Sequence, residues 1–283
     1  MTDRTRRRVV AGVVGTLAVG LWPMVARALP PLRIGLTAVF LDDQVGLLAR
    51  WRSYLSARLD RPVELVQRRA YREIVEQLAQ GRLDCAWLCG YPYLRHRDFL
   101  RLLAVPVYRG RPLYQSYLIV PARDAQTRGL ADLAGKVFAY SDPDSNSGYL
   151  YVQHRLREAG LTAGSHFRRT FFTWAHSKVV DAVGTRLADG GAVDGYVWDV
   201  LDVHRPEWTT QTRIVEKSPE FGFPPFVAAA GADPAASAQL QQALLGMSGD
   251  EGGRSLLREL HLDGFTLADA GLYSGIAAML AAL

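Results

Sequence analysis

The 283-residue chain predicts an α/β protein of two lobes joined by two crossing strands. Three observations carry that expectation. Strand-like and helix-like segments alternate from residue 32 onward, one strand is an almost unbroken apolar run, and the alternation crosses over and resumes near residue 114. Such alternation builds largely parallel sheets covered by helices.

The first strand covers 32–37. Over 44–59 the apolar residues Val45, Leu48, Leu55 and Leu59 recur at helical intervals, with Asp42 or Asp43 placed to cap the helix. Pro62 resets the chain before a second strand at 63–66, and a short helix over 71–80 stops at Gly81. The apolar run 83–88 fits a strand buried on both faces. A strand at 114–120 leads into the second lobe. There, 130–135 forms a short helix, 136–140 a strand, 148–159 a helix, the region of Phe171 a strand, 177–187 a helix and 192–197 a strand. Residues 214–227 make the return crossing, and helices starting at Ala235 and Gly271 complete the chain. The expected lobes are 29–116 with 222–283, and 117–221. A cleft then lies between them, faced by the carboxyl ends of parallel strands.

Residues 1–28 read as a cleaved export signal. Arginines 6–8 precede an apolar run over 11–25 that is short for a membrane span, and Ala26-Arg27-Ala28 is a small-x-small cleavage pattern. Paired arginines before a weakly apolar run point to the twin-arginine route and the periplasm. No Cys at the cut calls for a lipid anchor. The chain holds 33 basic and 28 acidic residues, but the leader carries five arginines and one Asp, leaving 28 against 27. Such a balance predicts no nucleic-acid stripe and no stable membrane insertion once the signal is removed.

The two cysteines, Cys85 and Cys89, lie four apart in the apolar run. In a strand their α-carbons stand about 13 Å apart, at about 3.3 Å per residue, beyond the ~7 Å reach of a disulfide. Two free thiols are unusual in an exported protein.

The segment Ser141-Asp142-Pro143-Asp144-Ser145-Asn146-Ser147-Gly148-Tyr149 stands between a strand and a helix. Its hydroxyls, with the first free amides of the helix, form an anion cradle; an ordinary capped turn would use the same residue types.

This segment resembles the D-P-x-S-T-S-G-[YF] turn of the phosphate-, phosphite- and phosphonate-binding components of ABC transporters. Further matches follow in order: Ala70-Tyr71, then Gly81-Arg82-Leu83-Asp84-Cys85-Ala86-Trp87, the crossing strand 114–120, and His176 with Val180, Val183 and Val193-Asp194. The resemblance implies a type II periplasmic-binding fold and ligand contacts from Tyr71, Tyr114, Ser145, Ser147 and His176. Tyrosine hydroxyls and an imidazole N–H can donate to an oxyanion without adding a full charge. It also implies a small oxyanion ligand, no cofactor, no metal, and delivery to an ABC permease.

Two departures matter. Asn146 replaces the usual Thr, and no acid in 221–226 matches the carboxylate that would meet an amine; Asp199 is near in sequence but unaligned. Cys89 falls where the third strand meets the cleft. In a related branch, arsenite-binding proteins that signal to a membrane histidine kinase, a Cys of this region meets the arsenic, a soft ion that prefers thiolate. Trp198 and His176 would then wall the ligand, and a sensor-kinase ectodomain would be the partner. A Cys89–His176–Asp nucleophilic set is a third reading, but no hydrolase motif surrounds Cys89, and the expectation is a binding protein rather than an enzyme.

Overall fold

The computed structural model describes residues 29–37 and 44–282; the expected export signal and the capping aspartates, Asp42 and Asp43, lie outside the described residues. In the first lobe, β1 (Leu32–Leu36), α1 (Val45–Leu59), β2 (Val63–Gln67), α2 (Tyr71–Ala79), β3 (Cys85–Trp87), α3 (Gly90–Arg95) and β4 (Leu100–Val107) follow one another. The first crossing is β5 (Leu113–Tyr114). The second lobe contains β6 (Ser116–Pro121), β7 (Val137–Tyr140), α4 (Tyr151–Glu158), α5 (Ala163–His166), β8 (Arg169–Phe172), α6 (His176–Gly184), β9 (Gly190–Asp194), α7 (Gly195–His204), α8 (Pro206–Thr209) and β10 (Thr212–Lys217). The return crossing is β11 (Phe221–Gly222), and β12 (Phe226–Ala229), α9 (Pro234–Leu245), α10 (Glu251–Glu259), β13 (Gly264–Thr266) and α11 (Ser274–Ala281) rejoin the first lobe.

The sheets share one topology. The six-stranded sheet runs β13-β4-β12-β3-β1-β2 and the five-stranded sheet β10-β6-β9-β7-β8. In each, the strand that follows a crossing is inserted antiparallel, β12 beside β3 and β6 beside β9. The two crossings pair with each other, Phe221 opposite Tyr114 and Gly222 opposite Leu113. β3 is therefore parallel to β1 but antiparallel to β12, so the sheet around it is mixed. It remains covered on both faces, with Cys85 and Ala86 fully buried and Trp87 nearly so.

Aromatic packing fixes the cores. Trp87 stacks on Phe226 at 5.5 Å and meets Trp51 edge-on at 5.8 Å in the first lobe. Phe138 stacks on Phe167 at 4.5 Å in the second. Burying side chains of this size stabilises by roughly 1.5–3 kcal/mol each.

The strand expected over 192–197 ends at Asp194. There the chain turns into α7, with the Asp194 carboxylate accepting from the Tyr196 and Val197 amides as an N-cap. Gly195 is required at this junction: a Cβ would lie 2.6 Å from the Tyr117 ring. Among the described residues no helix is long and apolar enough to cross a membrane.

Candidate ligand-binding site between the lobes

The site forms where loops leave the carboxyl ends of β2, β3, β7, β8 and β9. Its centre is the turn after β7. Ser145 caps a π-helical turn over Asn146–Leu150, its Oγ accepting from the Gly148 amide at 3.0 Å. The wide turn closes with the Leu150 amide on the Ser145 carbonyl at 3.0 Å. Gly148 is required: a Cβ there would lie 1.9 Å from Ser141 Oγ and 3.1 Å from His176 Cε1. Ser116 Oγ, at the start of β6, donates to the Ser147 carbonyl at 2.6 Å and ties the turn to the neighbouring strand.

Three elements converge on Asn146. Its backbone N–H donates to Cys89 Sγ at 3.4 Å and its Nδ2 to the Tyr114 hydroxyl at 2.9 Å. Cys89 stands at the start of α3, Tyr114 in the crossing strand and Asn146 in the second lobe, so one residue joins both lobes and the connection between them. With its oxygen accepting from Asn146, the Tyr114 hydroxyl keeps its own hydrogen to donate. The Asn146 amide, expected to serve an anion, is thus taken by the Cys89 sulfur, and the Gly148 amide is taken by Ser145.

His176 opens α6. Its Nδ1 accepts from the Asp194 amide at 3.0 Å, which places the proton of the neutral ring on Nε2, 3.5 Å from Ser145 Oγ. Complete burial pushes its pKa down to about 3, so the ring is a neutral donor at physiological pH. Burial pushes Asp194 the other way, to about 7.

Asp142, at the head of the turn, was not singled out from the sequence. Its carboxylate accepts from the Asp144 amide at 2.7 Å within the turn and, across the cleft, from the Tyr71 amide at 3.0 Å. Tyr71 is the first residue of α2, whose N-cap position is Ala70, so Asp142 supplies a cap from the other lobe. Ser141, the first residue of the segment read as a cradle, has a buried Oγ with no partner among the described residues. The D-P dipeptide was a signal for Asp142.

Of the residues expected at the site, Cys89, Tyr114, Ser145, Asn146, Ser147 and His176 are brought together, and Tyr71 borders them through Asp142. Trp198 is not in this cluster. Helix α7 turns it so that Nε1 donates to Thr212 at 3.2 Å and its ring meets Tyr117. Asp199 is likewise engaged elsewhere, accepting from Tyr108 at 2.8 Å and Tyr117 at 3.1 Å and pairing with Arg109 at 3.2 Å. Cys85 and Cys89 are both free and buried, Cys85 in β3 and Cys89 beyond it at the start of α3. Desolvation raises their pKa values to about 12 and about 11.

Residues 34–273 match the model of the ABC transporter, phosphonate, periplasmic substrate-binding protein family. The chain belongs to this family. The phosphate-import protein PhnD of Mycolicibacterium smegmatis is 28% identical over 185 residues, covering 60% of this chain and 56% of that relative. The chain thus matches little more than half the length of that curated relative. Among solved structures, a binding protein component of an ABC phosphonate transporter from Pseudomonas aeruginosa superposes with a TM-score of 0.81 at 20% identity, over 89% of this chain and 85% of the other. Prochlorococcus marinus PhnD1, in complex with methylphosphonate, gives 0.77 at 20% identity, over 89% and 99%. At such identities the superpositions speak for the fold, the two-lobed type II periplasmic-binding architecture. In this phosphonate-binding family member, the turn after β7 is the segment that matched the family pattern in sequence, and it is the segment that reaches across the cleft.

Proposed function

We propose that the chain is the ligand-capturing component of an ABC importer, closing its lobes over a small phosphorus oxyanion of the phosphonate, phosphite or phosphate class. The observation that carries this reading is the set of neutral donor groups gathered around the turn: the Tyr114 hydroxyl with the Ser147 side chain against it, and the Ser145 hydroxyl beside the Nε2–H of His176. Donors of this kind solvate an oxyanion without the full positive charge that would slow its release. Contacts from the first lobe and its crossing strand on one side and the turn on the other give the closed form the extra affinity that closure needs. The closed surface would then be the one a permease reads.

The bound species carries no amine on this reading, because Asp199 already serves two tyrosines and Arg109. The arsenic-binding alternative has to displace the Asn146 amide from the Cys89 sulfur and draw the proton from a thiol whose pKa burial raises. The family pattern and the export signal read in residues 1–28 support a periplasmic location.

Isothermal titration of the protein with methylphosphonate, phosphite, phosphate, sulfate and arsenite tests the assignment. Binding of at least one phosphorus oxyanion, weakened tenfold or more in Ser147→Ala and His176→Ala, is the expected outcome. Failure of every phosphorus ligand would refute it, and arsenite binding lost in Cys89→Ala would replace it with the sensor reading.

A further inference from the structure

Asn146 carries a buried polar atom that the protein itself does not satisfy. The residue is fully buried, its Nδ2 is engaged by Tyr114 and its amide N–H by Cys89, yet Oδ1 accepts no hydrogen bond among the described residues. Buried carbonyl acceptors in native proteins nearly always have a donor, so an orphan beside a binding site marks a place that a ligand completes.

The surroundings are neutral or acidic. His176 and Tyr114 are neutral, Cys89 is a thiol, Asp194 and Asp142 act on Cys89, and Asp194 acts on Tyr114. The cations on the helices around the turn have other partners or face solvent; Arg72 on α2 is exposed, although its charge reaches Asp142. Arg95 on α3 pairs with Asp144 and lies over Tyr91. On α4, Arg155 pairs with Glu216 and Glu158, His154 with Glu158, and Arg157 is exposed. Tyr117 on β6 donates to Asp199, and Lys217 lies over the Tyr117 ring.

We propose that the site selects the monoprotonated monoanion of its ligand, with Asn146 Oδ1 accepting the hydrogen bond of a P–OH group. The inference rests on the phosphorus-oxyanion reading above. The hydroxyl and imidazole donors meet the ionised oxygens. A dianion would instead set a lone pair against Oδ1 and bring a second charge into a buried site without a cation. The Thr usual at this position in the family pattern has a hydroxyl that can donate or accept. In Asn146 one amino hydrogen is engaged by Tyr114, and the acceptor left unengaged is Oδ1. Phosphorus oxyanions keep one hydrogen up to near neutrality, with a second pKa of about 6 for a phosphate monoester. Sulfate and sulfonates have none to give.

Titration calorimetry with methylphosphonate and methanesulfonate between pH 6 and 9, in buffers of different ionisation enthalpy, reads this directly. The two ligands share a shape and, as monoanions, a charge, and differ in the central atom and in the one hydroxyl hydrogen. Methylphosphonate is expected to bind at least about a hundredfold more tightly, since a site built around a ligand hydroxyl rejects the analogue lacking it. Its apparent affinity should fall about tenfold per pH unit above its second pKa, with about one proton taken up per complex. Asn146→Thr should narrow the gap and reduce the uptake, whereas Asp194→Asn should leave the uptake in place. Equal affinity for the two ligands, an affinity independent of pH, or a proton uptake abolished only by Asp194→Asn would each overturn the proposal. Should methylphosphonate, phosphite and phosphate all fail to bind, the oxyanion reading falls and this inference with it.

Discussion

Replacing Asp142 by Asn tests whether the cross-cleft cap holds the closed form. The two carboxylate oxygens accept from different partners, Oδ1 from Asp144 inside the turn and Oδ2 from Tyr71 on α2. An amide of the same size offers one acceptor, and its amino group must then face one of the two N–H donors. The bond within the turn is local and shorter, so the acceptor stays there and the donor confronts Tyr71. Leaving a buried N–H unsatisfied costs about 1–3 kcal/mol. Part of this is offset, because burial already penalises the carboxylate and raises its pKa. The Tyr71 bond forms between the lobes, so the net loss falls on the closed state. At 1.4 kcal/mol per factor of ten it should weaken ligand affinity about five- to a hundredfold. Titration calorimetry with the best phosphorus ligand measures the affinity, and small-angle scattering reports whether the ligand-bound form opens. An affinity within about twofold of wild type, with unchanged scattering, would refute the reasoning.

Two buried groups should give opposing pH dependences. His176 is depressed to about 3, so its contribution is present above about pH 6.5 and is lost as pH falls; Asp194 is raised to about 7, so its contribution is present below about pH 4 and is lost as pH rises. Between pH 4 and 6.5 the two slopes, each up to about 1.4 kcal/mol per pH unit, oppose one another. Urea unfolding should therefore find wild type shallow, His176→Gln losing stability as pH rises and Asp194→Asn gaining it; parallel profiles for all three would contradict the assignment. Native protein at pH 8 should expose no thiol to a disulfide reagent and denatured protein two, since both cysteines are free and buried. Gly148→Ala should destabilise by about 1–3 kcal/mol and weaken ligand binding, because its Cβ would overlap Ser141 Oγ and crowd His176; unchanged melting and affinity would contradict the close approach.

Local pattern carried most of the architecture. The helical recurrence of Val45, Leu48, Leu55 and Leu59 and the apolar run around Cys85 each mark an element that forms within a few residues of the expected bounds. Errors arise where a boundary depends on one capping side chain. Residues 192–197 are uniformly strand-like apart from Asp194-Gly195, and the Asp194 cap ends the strand there, which carries Trp198 away from the cluster. Helix α3 went unread because Cys89-Gly90-Tyr91-Pro92-Tyr93 has the composition of a turn. A proline in the first turn of a helix is nevertheless tolerated, since its missing N–H has no helical partner there. Strand β4 was also missed, although its sequence is apolar, and it pairs with β12 and β13 from the far end of the chain. The turn at Ser145 was legible from residue types. Its reach to Cys89, Tyr114 and Tyr71 was not, because those contacts join segments 32 to 71 residues apart.

Tyr114 belongs at once to the β5–β11 ladder that links the lobes and to the hydroxyl set facing the proposed ligand. Bending the ladder therefore displaces a donor, and holding the donor in place resists bending. Grip and joint form one lever, so the lifetime of a bound ligand should follow the stiffness of this two-residue ladder. A substitution that slackens it, far from any contact with the oxyanion, should appear first as faster dissociation and only later as lost stability.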